Sequence, residues 1–355
     1  MRAEELARLC SEEFTRGRRP RPGQGALPLA GPGAADWLER ELDPRGPRRA
    51  NWEALAEELG RGSLALVRPG DAAYPPLLGA MAAPPDPLFC KGRLELAQRE
   101  AVAIVGTRRP DERGLRWTAR AAEALARLGL VVVSGGAAGI DGQAHRRAGS
   151  AQTVAVLGAG FDRPYPAEHR ELFRELGEQG LLLSEWPPWT GPETWRFPRR
   201  NRVIAGLCRA VLVAQAPARS GALSTAHHAV EEGREVLVCP GPWDEPLYAG
   251  CHKLIRQGAR LTATLDDLLE ELSALPLILA PLPPRLPEPS IAPSAGEGDR
   301  ELWELLERPL CRDELGARLG LASGPLATRL LEAELAGWLR ALPGDRWARC
   351  NWTGA

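Results

Sequence analysis

Two stretches decide the fold: Ala101-Val102-Ala103-Ile104-Val105-Gly106-Thr107-Arg108-Arg109-Pro110, and Leu130-Val131-Val132-Val133-Ser134-Gly135-Gly136-Ala137-Ala138-Gly139-Ile140-Asp141. Each is a continuous apolar run that breaks into a turn of glycine, hydroxyl or basic residues, with helix-length sequence after it. Such runs fit strands covered on both faces rather than half-exposed ones. The pattern recurs at Thr153-Val154-Ala155-Val156-Leu157, Leu181-Leu182-Leu183, Ala210-Val211-Leu212-Val213 and Glu235-Val236-Leu237-Val238, with helix-length stretches such as Gly114 to Leu128 and Thr225 to Glu232 between them. Alternating strands and helices predict an α/β fold: a doubly wound, mainly parallel, Rossmann-like sheet that places ligands at the carboxyl ends of its strands.

The flanks differ in character. Residues 1–66 read as a small helical domain, with a turn at Leu29-Ala30-Gly31-Pro32-Gly33 that resembles a helix-hairpin-helix but reads more plainly as a glycine-containing helix junction. Residues 67–275 form the sheet domain. Residues 276–298 hold seven prolines and read as a linker. Residues 299–355 suit three short helices and a β-wing, a winged-helix module. Its eight arginines against nine acidic residues are a poor balance for a groove reader, so contact with protein or tuning of the main domain is expected of it.

Bulk composition narrows the function. A formal net charge of -1 and a pI near 6.6 argue against indiscriminate coating of nucleic acid, so any polyanion site must be a local patch. Of the 45 basic residues only Lys91 and Lys253 are lysine, so arginine alone carries little meaning and only clustering counts. The seven cysteines form no C-x-x-C pair, and His227 and His228 are wrongly spaced to share a metal on a helix. No metal, cofactor or catalytic residue is assigned. With neither a signal-like start nor a membrane-length apolar run, a cytoplasmic protein without membrane insertion is expected.

The sharpest local feature is Arg196-Phe197-Pro198-Arg199-Arg200-Asn201-Arg202. Its four arginines within seven residues repel one another unless an anion binds, and Trp195 and Phe197 add stacking faces. Pro198 argues for a docked loop. Asn201 could read a base edge or hold the loop. Downstream, Ser220-Gly221-Ala222-Leu223-Ser224-Thr225 opens a helix directly after a strand and could seat a second phosphate. Asp141 with His145 reads as a helix-start carboxylate beside a packed histidine, and Tyr165, taken alone, as cover for the core edge.

Together these loops resemble the bacterial DNA-processing protein A family (DprA or Smf). The likeness runs through AIVGTRRP (Ala103 to Pro110), VVSGGAAGIDGQAH (Val132 to His145), TVAVLGAGFDRPYP (Thr153 to Pro166), SEWP (Ser184 to Pro187), FPRRNRVIAGL (Phe197 to Leu207), SGALSTAHHAV (Ser220 to Val230) and CPGPW (Cys239 to Trp243). The resemblance implies an extended Rossmann-like domain that binds single-stranded DNA as a homodimer. It further implies that the protein protects incoming DNA and loads RecA recombinase onto it during natural transformation, without catalysis. Matched by position, the strand would be held by Arg108, by Ser134, Gly135, Gly136 and Ala137, by Arg199, Arg200 and Arg202, and by Ser220 with Gly221. Asn201 and Thr225 join them from the reading of the loops. Three positions depart from the family's habit: Ala138 stands where a basic residue or tyrosine is common, and His169 and His252 stand where asparagine is common.

The competing reading is a nucleotide-phosphate-binding enzyme of the phosphoribohydrolase type, whose P-G-G-x-G-T-x-x-E signature needs a glutamate where this chain has His228. A nicotinamide-dependent oxidoreductase fails for want of a G-x-G-x-x-G turn and a ribose-binding acid.

Overall fold

The computed structural model describes residues 5 and 48–275 and, apart from 307, 336–338 and 343–344, residues 297–349. The helix-hairpin-helix-like turn, nearly all of the proline-rich segment and the outer ends of the wing lie outside the described residues. Two compact units, Met1–Pro281 and Leu282–Ala355, divide the chain.

The first unit is built on a sheet of nine strands among the described residues: β1 (Ala65–Val67), β2 (Leu88–Gly92), β3 (Ala101–Gly106), β4 (Val131–Ser134), β5 (Thr153–Leu157), β6 (Leu181–Ser184), β7 (Ala210–Gln215), β8 (Glu235–Val238) and β9 (Arg260–Leu261). Their spatial order is β1-β2-β6-β5-β4-β3-β7-β8-β9. From β6 to β9 every pairing is parallel; β1 and β2 add an antiparallel end. The expected mainly parallel, doubly wound sheet is therefore present, extended by three short strands absent from the sequence reading.

Alternate side chains along each strand explain why the apolar runs are unbroken. Ala103, Val105, Val133, Val156, Leu183 and Val213 enter the core on one face, while Val102, Ile104, Val132, Ala210 and Leu212 enter the other. Among the described residues, eight helices of eight residues or more cover the two faces: α1 (Arg49–Arg61), α2 (Glu112–Arg127), α3 (Ile140–Ala148), α4 (Arg170–Gln179), α5 (Arg196–Gly206), α6 (Gly221–Glu231), α7 (Ala249–Arg256) and α8 (Leu265–Ser273). Helices α5, α6 and α7 contribute to the first core, α2, α3 and α8 to the second. The α1 helix belongs to this body: Trp52 and Leu55 are buried with Phe173, Trp186 and Trp189, and Trp52 meets Trp189 edge-on at 4.8 Å. Residues 49–61 thus pack on the sheet domain, and not in the separate helical domain that the sequence predicts.

The second unit carries α9 (Glu297–Leu305), α10 (Arg312–Leu319) and α11 (Ser323–Leu335) with three antiparallel strands, β10 (Leu310–Cys311), β11 (Leu339–Leu342) and β12 (Arg346–Arg349), ordered β10-β12-β11. Its own core comprises Leu302, Leu306, Leu315, Leu326, Leu330 and Trp347.

Candidate nucleic-acid interface

The sheet's winding reverses between β3 and β7, neighbours in space but far apart in sequence. Chains leaving such strands diverge to opposite faces, which opens a crevice at their carboxyl ends. A cleft of about 840 Å3 occupies that place, lined by the β3 turn (Thr107, Arg108, Arg109), the β4 turn (Ala137, Asp141), the start of α5 and the β7 turn with the start of α6. The β3 and β7 turns are tied where they part: the Thr107 amide donates to the Gln215 carbonyl at 2.8 Å.

The arginine-rich segment is the opening of α5, a helix and not the loop expected from Pro198, which falls in the first turn where its missing N–H costs nothing. The anions that hold its charges together are the protein's own. Arg202 is 7% exposed and bonds Glu185, itself 5% exposed, as well as the Ala83 carbonyl at 2.6 Å. Arg199 lies 3.7 Å from the same carboxylate. Arg196 is enclosed between Trp186 and Trp195, 4.8 and 5.1 Å from the ring centroids, and pairs with Glu193 at 3.0 Å. Trp195 is likewise engaged, its indole N–H donating to Glu193 at 2.6 Å. Neither Arg199 nor Arg202 lines the cleft. The repulsion inferred from sequence is relieved internally, mainly by Glu185 of the SEWP stretch.

Arg200 does reach the cleft, from below. It is buried, donating to the carbonyls of Gly135 (2.6 Å) and Val156 and, through Nε, to Asn201 Oδ1 (3.2 Å). A Cβ on Gly135 would stand 2.5 Å from this guanidinium, so glycine is what lets the arginine lie against the β4 turn. Burial lowers its pKa to about 10, with Asp141 opposing the shift and Arg108 adding to it. Burial likewise pushes the Asp141 carboxyl above the usual carboxylate range, against the charge of Arg200. Asp141 accepts from the amides of Gly135 (3.2 Å) and Ala137 (3.3 Å), and the buried Ser134 hydroxyl donates to the Ile104 carbonyl at 2.6 Å. The Ser134–Ala137 turn therefore already holds a carboxyl group of the protein's own, Asp141, and its polar groups serve the fold.

Behind the turn, buried His145 bonds Thr153 Oγ1 through Nδ1 at 2.7 Å, and that hydroxyl donates to the Val132 carbonyl, so Nδ1 carries the proton. Its Nε2 is buried with no hydrogen-bond partner among the described residues. Burial, with His169 and Arg200 nearby, lowers its pKa from 6.5 to about 3. Between those values the unfolded chain binds a proton that the folded chain refuses, so stability falls as pH falls. From about pH 7 to about pH 5 the expected His145 contribution is a loss of about 2 kcal/mol. Urea unfolding at both pH values should show this extra loss in the parent and not in His145→Gln. Asp141, whose raised pKa acts with the opposite sign, is common to both proteins and cancels in the comparison; equal pH dependence in the two would refute the assignment.

What faces the cleft's mouth is a different set. Arg108, Arg109 and Arg219 are exposed, line the cleft and have no acidic ion-pair partner among the described residues. Arg108 lies over the Phe197 ring at 5.7 Å from its centroid, and Phe197 meets Tyr165 at 5.5 Å. A Cβ on Gly158 would come within 2.8 Å of Phe197, so the glycine seats the ring. Tyr165, expected at the core edge, is 45% exposed and lines the cleft. Ser220 caps α6, accepting from the Ala222 amide at 3.3 Å. Gly221 is exposed beside it, Thr225 is buried on the cleft wall, and the Asn201 side chain donates to the Gly221 carbonyl at 3.3 Å. Cations and ring faces thus converge on one helix N-terminus, an arrangement suited to a phosphodiester with bases. Arg109 and Arg219 were missed from sequence as site residues; the available signal was position, each lying just past the carboxyl end of one of the two strands at the reversal.

The sequence profile of the family described as DNA recombination-mediator protein A matches residues 65–273. The chain belongs to this family. Within the mediator family it is 36% identical over 333 residues to Protein Smf of Synechocystis sp., covering 82% of each chain. It is 40% identical over 279 residues to Protein Smf of Escherichia coli, covering 76% of this chain and 74% of that one. Among solved structures, DNA processing protein A of Streptococcus pneumoniae is 33% identical with a TM-score of 0.58, over 76% of this chain and 95% of that one. DNA processing protein A of Helicobacter pylori, in a structure described for its single-stranded DNA binding mode, is 29% identical with a TM-score of 0.55, over 59% and 95%. The role of this mediator-family chain lies in DNA processing. At two of the positions that depart from family habit the histidine still makes a polar contact. His169 Nδ1 bonds the Gly136 carbonyl at 3.0 Å, and His252 Nε2 bonds the Gly241 carbonyl at 3.1 Å.

Proposed function

We propose that the cleft holds single-stranded DNA and that the protein works by binding, without turnover, passing the strand to a RecA-type recombinase. The observation that carries this reading is the set of three exposed guanidiniums without acidic partners among the described residues, gathered with Phe197 and Tyr165 around the α6 N-terminus. Cations on a backbone track and stackable faces suit a single strand, whose bases are free to splay. The H. pylori relative, whose structure is described for its single-stranded DNA binding mode, supports the same ligand. The two carboxylates that line the cleft are both engaged: Asp141 by backbone amides, Glu193 by Arg196 and Trp195. His228, at the position where a phosphoribohydrolase would carry its glutamate, bonds Glu231 at 2.9 Å and lies off the cleft.

In this reading residues 67–275 bind DNA, the protein acts as a cytoplasmic homodimer in transformation and recombination, and residues 299–355 are a winged-helix module that contacts protein. The test is binding of matched single- and double-stranded oligonucleotides over a salt series. Single strands should bind more tightly, with log affinity falling about 2 for each tenfold rise in salt, as about three phosphate contacts require. Equal affinity for duplex, or release of free base from a nucleoside monophosphate, would overturn the reading.

A further inference from the structure

The carboxyl edge of the sheet continues past the cleft. Where β8 and β9 end against the start of α2, a second depression of about 310 Å3 is lined by Arg113, Trp117, Pro240, Pro242 and Tyr248 among others. The two hollows share a wall: of the consecutive residues Leu247 and Tyr248, the first lines the cleft and the second lines the depression. Arg109 lines the first hollow and Arg113, four residues on, lines the second. We propose that this depression is a second nucleotide seat, taking the next bases of the same single strand as it leaves the cleft. This inference rests on the single-strand reading of the cleft.

Three features fit it for a base and its phosphate. Trp243, directly after Pro242, is 90% exposed, more than Val230 at 67% or Leu261 at 47% in the same unit. An indole held so fully in water is available for stacking. Its pedestal is stiff: prolines flank Gly241, the His252 ring bonds the Gly241 carbonyl, and a Cβ on Gly241 would overlap the Tyr248 ring at 2.1 Å. A platform already fixed loses little freedom when a partner stacks on it. The third feature is charge. Arg113 is exposed with no ion-pair partner among the described residues, since the adjacent Glu112 is taken by Arg116 at 3.2 Å. Nearby acids are largely occupied as well: Asp111 caps α2 at the Gly114 amide (2.7 Å) and receives the Tyr248 hydroxyl (3.4 Å), and Glu245 caps the Leu247 amide (3.3 Å), leaving Asp244 exposed. Aromatic and proline faces beside a free guanidinium match a nucleobase with its phosphate.

The test uses the full chain and labelled oligothymidylates of about four to about sixteen nucleotides, comparing the parent with Trp243→Ala and Arg113→Ala. Short strands, which fill the cleft alone, should bind all three proteins equally, while the longest should bind each variant roughly tenfold more weakly, as loss of one stacked base or one phosphate contact implies. Equal affinity at every length would overturn the second seat. So would dissociation of a dimer by Trp243→Ala in sedimentation, which would make this face a contact between copies of the chain. Failure of the cleft reading shows differently, as unchanged binding at every length when Arg108 and Arg219 are replaced, so the two readings fail separately.

Discussion

Arg202→Ala is expected to lower the stability of the sheet domain by about 3–5 kcal/mol, because it strands a buried carboxylate. Glu185 is 5% exposed and its partners are Arg202, in direct contact, and Arg199 at 3.7 Å. Without Arg202 the remaining guanidinium is itself one whose ionisation burial disfavours, and the Ala83 carbonyl loses its donor as well. Urea unfolding should show a lower midpoint with an unchanged slope. Paired replacement, Glu185→Leu with Arg202→Met, should recover part of the loss, since removing both members of a buried pair costs less than removing one. An unchanged midpoint together with weakened DNA binding would reverse the assignment and return Arg202 to the DNA surface expected from sequence.

The combined variant Arg108→Ala, Arg219→Ala should do the opposite, weakening single-strand binding about 100-fold at low salt while leaving the unfolding midpoint unchanged. Both side chains are exposed and line the cleft without an ion-pair partner among the described residues, so the fold loses little with them. Two lost phosphate contacts should flatten the salt dependence by about 1.4 log units of affinity per tenfold change in salt. Replacing Arg108 also removes the cation over Phe197. Titration of a labelled oligonucleotide at two salt concentrations measures both effects. A parallel loss at low and high salt would show that the guanidiniums act on bases or on shape instead of phosphates.

How far the sequence foretold this arrangement depended on whether a residue's partner was local. Strands β3 to β8 were legible because burial on both faces leaves an unbroken apolar run, visible without knowing the neighbours. The β1, β2 and β9 strands are two to five residues long, and their pairing partners supply what their own pattern lacks. The arginine run shows the same divide. Charge alone tells that an anion is required, not whether it is solvent-borne or internal. Glu185 and Arg202 meet only because the chain leaves β6 and re-enters as α5. Reading Arg199 and Arg202 at i, i+3 on a helix, with an upstream acid just past a strand end, would have raised the internal reading. The glycine turn after β4 was legible as an anion seat, but its occupant, Asp141, comes from the helix that follows.

That occupant bears on competition inside a cell. A Rossmann-like sheet offers amides at a glycine turn to any nucleoside phosphate, and soluble nucleotides far outnumber strand ends. With the Gly135 and Ala137 amides already taken by an aspartate of the same chain, a free nucleotide at this turn finds its donors occupied. In the single-strand reading proposed for the cleft, a single monomer must rely on scattered side chains around the rim, whereas a polymer reaches several of them at once. In that reading Asp141 favours a long chain over a free nucleotide at the cleft.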